Sequence, residues 1–350
     1  WFALHGQHRN GHGAAWFQDV ARTGGGGMTL GNFLSEWNNE LPTLEVHTSG
    51  STGTPKRMLV EKSRMRASAQ MTCDFLGIET GGNALLCMPL DFIAGKMMVV
   101  RALERNLHLI EVEPSGHPLA LLSDEVKSID LAAMVPLQVF NSLQVPLERE
   151  RLLRIKHLII GGGAIPDTLE AELRQLPINI WSSYGMTETL SHIALRPISE
   201  DYYSPLPGIT LEQDANDCLI IHAPALCEER LVTNDIVRFT EDNKFQIIGR
   251  RDNTVCSGGI KIQIEEVEHW LHSLGIDNVV VTYRTDARLG QALVYLCTDS
   301  LNIDSLTPPT HISTARYWLP RHVVHVPQLP LTANGKPDRA LAHKIAENYL

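Results

Sequence analysis

Ten consecutive residues, His47-Thr48-Ser49-Gly50-Ser51-Thr52-Gly53-Thr54-Pro55-Lys56, crowd hydroxyls, glycines and a lysine together in a way that suits a polyphosphate. Gly50 and Gly53 let the backbone come close to a ligand, while the Ser and Thr hydroxyls and freed backbone N–H groups can donate to phosphate oxygens. Lys56 adds a mobile positive charge. The spacing does not fit G-x-x-x-x-G-K-[ST], and Pro55 would disrupt a helix opening there, so the phosphate-handling architecture is not a P-loop. The plain alternative is a solvated loop. The apolar strand start at Leu44 and Val46 counts against it.

Further along, Gly161-Gly162-Gly163-Ala164-Ile165-Pro166 fails G-x-G-x-x-G at its last position, and its tight backbone could instead pass beneath a flat base. Ser182-Ser183-Tyr184-Gly185-Met186-Thr187-Glu188-Thr189 puts a ring, hydroxyls and a carboxylate together: a ring stacks on adenine, and a carboxylate binds magnesium carried by ATP. Each of these residues taken alone is ordinary packing or capping; the set is harder to dismiss. Thr233-Asn234-Asp235 and Gly249-Arg250 add a carboxylate able to accept from ribose hydroxyls and a guanidinium able to donate to them or to phosphate. Lys336 sits in Thr332-Ala333-Asn334-Gly335-Lys336-Pro337-Asp338, where an exposed lysine by default only solvates a turn.

The elements that must position these groups alternate. A short helix (Phe33, Leu34, Trp37) precedes the first strand and the hydroxyl-rich loop, and a helix over Ser63 to Phe75 follows. Strands at Leu85 to Met88, Leu107 to Val112, Ala132 to Val135 and His157 to Ile160 interleave with helices at Met97 to Leu103 and Leu137 to Leu143. That alternation predicts a mainly parallel, layered α/β core with ligands at the strand C-terminal ends, where the glycine and serine loops fall. From about Leu206 the texture shifts to shorter strands (Cys218 to His222, Ile236 to Phe239, Phe245 to Ile248). After Gly249-Arg250-Arg251-Asp252 comes a smaller α+β unit with a helix over Ile264 to Leu274, strands at Val279 to Tyr283 and Ala292 to Cys297, and a terminal helix. The expected organisation is an unassigned segment 1–29, a large α/β domain 30–251 and a small mobile domain 252–350 hinged at Asp252.

At 350 residues, with 43% hydrophobic and 20% charged residues, the chain is globular and long enough for two or three domains. A formal net charge of −10 disfavours nucleic acid as the main partner, so an anionic ligand must be held by local design. Six cysteines without a C-x-x-C pair disfavour a zinc site and a disulfide framework and suit a reducing cytoplasm. No apolar run approaches the roughly 18 residues of a membrane helix, and no secretory pattern opens the chain. His5, His8 and His12 are spaced too irregularly to suggest a metal site.

Taken in order, HTSGSTGTPK, GGGAIP, SSYGMTET, TND, GRRDNTVCSGGIKIQIEEVE and LTANGKPDR resemble the adenylate-forming superfamily of acyl-CoA synthetases, peptide-synthetase adenylation domains and luciferases. The resemblance spans His47 to Lys336 and implies a two-step reaction: a carboxylate attacks the α-phosphate of Mg-ATP to give an acyl-adenylate, and a thiol then displaces AMP. It implies that Thr48, Ser49, Gly50, Ser51, Thr52, Gly53, Thr54 and Lys56 cradle the β- and γ-phosphates. Adenine would lie against Gly162, Gly163, Ala164 and the Ser183, Tyr184, Gly185, Met186 segment; Thr187 and Glu188 would serve the α-phosphate and Mg2+; and Asp235 and Arg250 would clasp ribose. Lys336 would be the catalytic lysine of a swinging domain, with rotation at Asp252 exchanging it for a thiol-accepting surface near Ser257, Gly258 and Gly259 that meets coenzyme A.

Within the superfamily, MPLDFIAGKMMVVRAL, SSYGMTETLSHIALR and SGGIKIQIEEVE look most like short bacterial o-succinylbenzoate-CoA ligases of menaquinone biosynthesis. Arg101 falls where those ligases place an arginine toward the acid, and Lys96, Ser191 and His192 are further substrate-side candidates. Two departures are expected to matter: Asp91-Phe92 stands where many relatives carry His, and little chain precedes the phosphate loop, as in a shortened N-terminal domain. The rivals are a ligase or carrier-protein adenylating enzyme for another aryl or acyl acid, a catalytically inactive nucleotide-binding module, and a nicotinamide dehydrogenase weakened by the missing glycine spacing. A homo-oligomer stays open.

Overall fold

A computed structural model describes residues 27–47, 57–332 and 336–349. Helix α1 (Leu30–Asn38) is capped by Thr29, whose hydroxyl accepts from the Asn32 amide at 3.2 Å, and it leads into a hairpin of β1 (Thr43–His47) and β2 (Arg57–Glu61). Then α2 (Lys62–Leu76), β3 (Asn83–Leu86), α3 (Ile93–Glu104), β4 (His108–Glu111), β5 (Ile129–Met134), α4 (Pro136–Gln144), α5 (Pro146–Leu152), β6 (Ile155–Ile160), α6 (Asp167–Leu173), β7 (Asn179–Gly185), β8 (His192–Pro197) and β9 (Ser204–Pro205) follow. Strands β3 to β9 make one seven-stranded sheet in the order β4-β3-β5-β6-β7-β8-β9, parallel from β4 through β7 and antiparallel beyond.

Because side chains alternate across a strand, neighbouring apolar residues serve opposite faces. Leu86, Leu131 and Ile159 pack with α2 and α3 through Met65, Ala69, Cys73, Met97 and Met98. Leu85, Ala132 and Leu158 pack with α4, α5 and α6 through Val139, Leu143, Leu152, Leu169 and Leu173. The continuous hydrophobic strands of the sequence therefore form the middle layer of three. Helix α3 fits tightly because Gly95 passes the turn after β3: a Cβ there would lie 2.3 Å from the Pro89 carbonyl oxygen.

A four-stranded antiparallel sheet follows, from β10 (Thr210–Gln213) and β11 (Cys218–His222) to β12 (Leu231–Phe239) and β13 (Phe245–Arg250). Past a 3₁₀ turn at Arg251–Asn253 stand β14 (Thr254–Ser257), β15 (Ile260–Gln263), α7 (Ile264–Ser273), β16 (Val279–Asp286), β17 (Gly290–Cys297), β18 (His322–His325) and α8 (Arg339–Asn348). Their sheet runs β15-β14-β17-β16, with β18 added parallel to β17, and carries α7 and Trp318 on one face and α8 on the other. The observed α/β body with a smaller α+β unit agrees with the expected fold class. No helix among the described residues is long and apolar enough to cross a membrane.

Candidate functional site

The parallel strands end on one side, and the glycine loop and the Tyr184 segment emerge there. Strand β6 runs into Gly161-Gly162-Gly163; Gly162 has φ +78°, in the region that favours glycine. A Cβ on Gly161 would lie 2.5 Å from Ser183 Oγ, whose hydroxyl donates to the Ile160 carbonyl at 3.1 Å, so the loop can lie flat on β7 only as glycine. Gly162 and Ala164 remain exposed above it.

Tyr184 closes one side of this surface. Its ring meets Phe245 edge-on at 5.5 Å, and its hydroxyl donates to Asp235 Oδ2 at 2.6 Å. Burial, and then the carboxylate beside it, push the Tyr184 pKa up, so the phenol stays protonated. Asp235 and Arg250 face each other across β12 and β13, with Arg250 donating to Asp235 Oδ1 at 3.0 Å and to Asp252 Oδ2 at 3.0 Å. One carboxylate thus joins ring and guanidinium, while Asp252 is tied to the same cluster and to Asn234.

Lys336 arrives from the other end of the chain. Thr332 and Lys336 close a turn by backbone hydrogen bonding at 2.7 Å, and a Cβ built on Gly163 would lie 3.2 Å from Lys336 Cε and 3.6 Å from Nζ. The residue is exposed overall, yet its amine end reaches the glycine loop, where desolvation lowers its pKa. The small unit is also held to the body by His269 on α7, 3.1 Å from Asp167 on α6.

A second cluster lies between α2, α3 and β8. Arg101 is only 2% exposed; its NH2 donates to Ser191 Oγ at 2.7 Å, its NH1 faces Met98 Sδ at 3.7 Å, and its Nε has no partner. Among the described residues it forms no ion pair, and burial pulls its pKa down to about 10. His192 is buried beside it, 3.4 Å from Ser191 Oγ through Nδ1 and 2.9 Å from Thr72 Oγ1 through Nε2. Burial, then the neighbouring Arg101, hold its pKa well below 6.5, so it is neutral. The approach is set by the backbone: Leu190 takes φ +66°, and a Cβ on Gly185 would lie 2.3 Å from the Ser191 carbonyl.

Thr187 and Glu188 form a 3₁₀ turn between these clusters, knitted by Thr189, whose Oγ1 accepts from the Met186 amide at 3.1 Å. Glu188 is exposed and has neither a hydrogen bond nor an ion pair among the described residues. Lys96 stands apart: its buried ammonium donates to the Glu45 carbonyl at 2.7 Å, bracing β1. Ser257, Gly258 and Gly259 form the tip of the β14–β15 hairpin, with φ +58° and +84° at the two glycines, and neighbour Leu289. Thr48 to Lys56, with Ser49, Gly50, Ser51, Thr52, Gly53 and Thr54, lie outside the described residues. Thr72, Asp167 and His269 carried no signal in the sequence: a lone helical threonine and a distant His/Asp pair match no motif.

The model of the AMP-binding enzyme family matches residues 35–215. An acyl-CoA synthetase (AMP-forming)/AMP-acid ligase II-like protein from Dyadobacter fermentans shares 33% identity, with 89% of this chain and 91% of that one covered at a TM-score of 0.61. A 2-succinylbenzoate–CoA ligase from Listeria monocytogenes is 25% identical, over 90% of this chain and 72% of the relative. The o-succinylbenzoate CoA synthetase (MenE) of Bacillus subtilis, solved with the acyl-adenylate intermediate OSB-AMP, shares the fold at TM-score 0.71 and 20% identity, with 85% of this chain and 68% of that one covered. A linear gramicidin synthase protein of Brevibacillus parabrevis is 25% identical over 84% of this chain, which spans 7% of that much longer relative. With over half its length matched by the family model and a solved relative at 33% identity covered almost end to end, the chain belongs to the AMP-binding enzyme family.

Proposed function

We propose that the chain is an AMP-forming acid–CoA ligase acting on o-succinylbenzoate. The observation that carries the adenylation reading is the Lys336 amine at the glycine loop, beside the joined Tyr184, Asp235 and Arg250. A cation delivered there meets charge that develops on the α-phosphate, the kind of preorganised stabilisation on which phosphoryl chemistry depends. In the first step a carboxylate oxygen attacks the α-phosphorus and the bond to pyrophosphate breaks. In the second a CoA thiolate attacks the acyl carbon and the anhydride C–O bond breaks, releasing AMP.

The residue roles belong to the same proposal. Gly162, Gly163, Ala164 and Tyr184 hold adenine; Asp235 and Arg250 hold ribose; Thr187 serves the α-phosphate. The exposed carboxylate of Glu188, without a partner among the described residues, fits Mg2+, which takes few protein oxygens when it rides on phosphates and would neutralise their charge. The unit beyond Asp252 turns as a body, replacing Lys336 with the Ser257–Gly259 turn for the CoA step. Arg101 supports a substrate with a second, unreactive carboxylate, because a buried guanidinium without an ion pair is costly until an anion joins it. The ligases named for 2-succinylbenzoate among the relatives agree with that choice. The enzyme would then work in a bacterial cytoplasm, in menaquinone biosynthesis.

The test is CoA-thioester formation with Mg-ATP, CoA and either o-succinylbenzoate or a panel of benzoates and fatty acids, read by mass spectrometry. Thioester from o-succinylbenzoate alone is the expected result. Turnover of another acid retains adenylation and removes the substrate assignment, and absence of any adenylate defeats the whole reading.

A further inference from the structure

The geometry points to Thr72 as a positioning residue for the acid substrate: it fixes the His192 tautomer, commits the Ser191 proton to His192 so that only its lone pairs face Arg101, and so holds the Arg101 guanidinium in one orientation. This rests on the reading that Arg101 meets the acid's second carboxylate. Thr72 lies on the buried face of α2, one turn after the buried Ser68, and is itself fully buried. Its hydroxyl has one proton, and that proton goes to the Ser68 carbonyl one turn earlier, at 3.0 Å. Toward His192 Nε2, 2.9 Å away, Thr72 can therefore only accept, and Nε2 must carry the hydrogen.

A second proton on the ring would set two cations side by side in a dry site. His192 therefore stays neutral, and Nδ1 presents a lone pair to Ser191 Oγ at 3.4 Å. Ser191 spends its proton on Nδ1 and turns its lone pairs to Arg101, which donates at 2.7 Å. That bond is the one oxygen hydrogen bond of the guanidinium among the described residues; Met98 Sδ is its other hydrogen-bonding neighbour, Cys73 lies near, and Nε is left unpaired. The chain of donors thus has a direction set by Thr72, and Ser191 has no proton left for the substrate.

The experiment joins ring-nitrogen NMR of the full chain, ¹⁵N-labelled at its fifteen histidines, with steady-state kinetics. His192 is assigned by difference against His192→Gln. The expected wild-type signature is a bare Nδ1 and a protonated Nε2, unchanged from about pH 5 to 8, the range where an unperturbed histidine titrates. In Thr72→Val that tautomer is lost and the KM for o-succinylbenzoate rises about tenfold, the scale of one buried hydrogen bond, with the KM for ATP unchanged. Thr72→Ser restores both. A wild-type ring protonated at Nδ1 overturns the proposal, as does an equal rise in both KM values or a failed rescue by serine. If Arg101→Met raises the acid KM and Thr72→Val does not, the role of Thr72 alone falls. If neither moves it while the tautomer still changes, the acid-pocket reading beneath the proposal falls instead.

Discussion

Arg101→Met should make the protein more stable and a worse ligase. Burial pulls the guanidinium pKa down to about 10, and at about 1.36 kcal/mol per decade this fall corresponds to about 3 kcal/mol of uncompensated desolvation. A cation whose folded pKa is depressed carries that cost in full below the folded value, so all of it is present at neutral pH; it fades as pH rises above about 10. Methionine fills similar volume without charge. Its substitution removes the penalty and gives up the Ser191 hydrogen bond, worth about 1 kcal/mol, leaving a net gain of about 2 kcal/mol.

On the proposed assignment, the same substitution removes the partner of the acid's second carboxylate. A hydrogen bond to a charged group contributes about 1.5 to 3 kcal/mol, so the KM for o-succinylbenzoate should rise roughly tenfold to a hundredfold or more while the KM for ATP stays fixed. Thermal unfolding of the ligand-free protein and the two KM values, measured on one preparation, test both halves. A less stable variant with an unchanged acid KM would show that Arg101 is a packing group whose charge is compensated, and would refute the argument from desolvation.

Lys336→Ala should lower pyrophosphate exchange about a hundredfold to a thousandfold, the scale for one preorganised donor at developing charge, while thioester formation from supplied acyl-adenylate holds; equal loss of both defeats the assignment. The His269–Asp167 contact should favour the arrangement with Lys336 at the glycine loop only below the raised His269 pKa. Asp167 lifts that pKa above 6.5, helped by Glu170 and Asp201, while Asp167, with His272 also near, is itself held below 3.8. Such a solvent-exposed pair contributes about 0.2 to 1 kcal/mol, so a distance probe between the units should shift up to about fivefold in population as pH rises through that value, and His269→Ala should flatten the response. Gly185→Ala should cost about 1 to 3 kcal/mol and raise the acid KM, because its Cβ would meet the Ser191 carbonyl at 2.3 Å and His192 Cα at 2.5 Å; an alanine variant that melts like wild type would contradict the close approach.

The parallel layer was legible because strands buried on both faces read as unbroken apolar runs, and β3 and β6 appear within two residues of their expected positions. Helix α6 and the β14–β15 hairpin were not: α6 is short, and the hairpin's SGGI turn stands out by its family resemblance alone. Glycine loops reveal themselves locally, since their backbone demands belong to the residues that spell them. Buried charge does not. Arg101 and Lys96 share an apolar helix, and spacing could not say that one would brace β1 through Glu45 while the other would stand without an ion pair. Thr72 and His192 are 120 residues apart, a pairing only the folded sheet creates.

That difference between local and long-range chemistry bears on why the two cations of the proposed reaction are built differently. The second carboxylate of the acid keeps its charge throughout, so a fixed, desolvated Arg101 locked by Ser191, His192 and Thr72 can hold it from start to finish. Charge at the α-phosphate appears during adenylation and must then make way for a thiol. A lysine buried there like Arg101 would obstruct the second step, whereas one reaching in from an exposed turn can leave for little free energy. On the proposed reaction the small unit must therefore release the body between the two steps, so a covalent link between α6 and α7 should leave adenylation running while the CoA step stops.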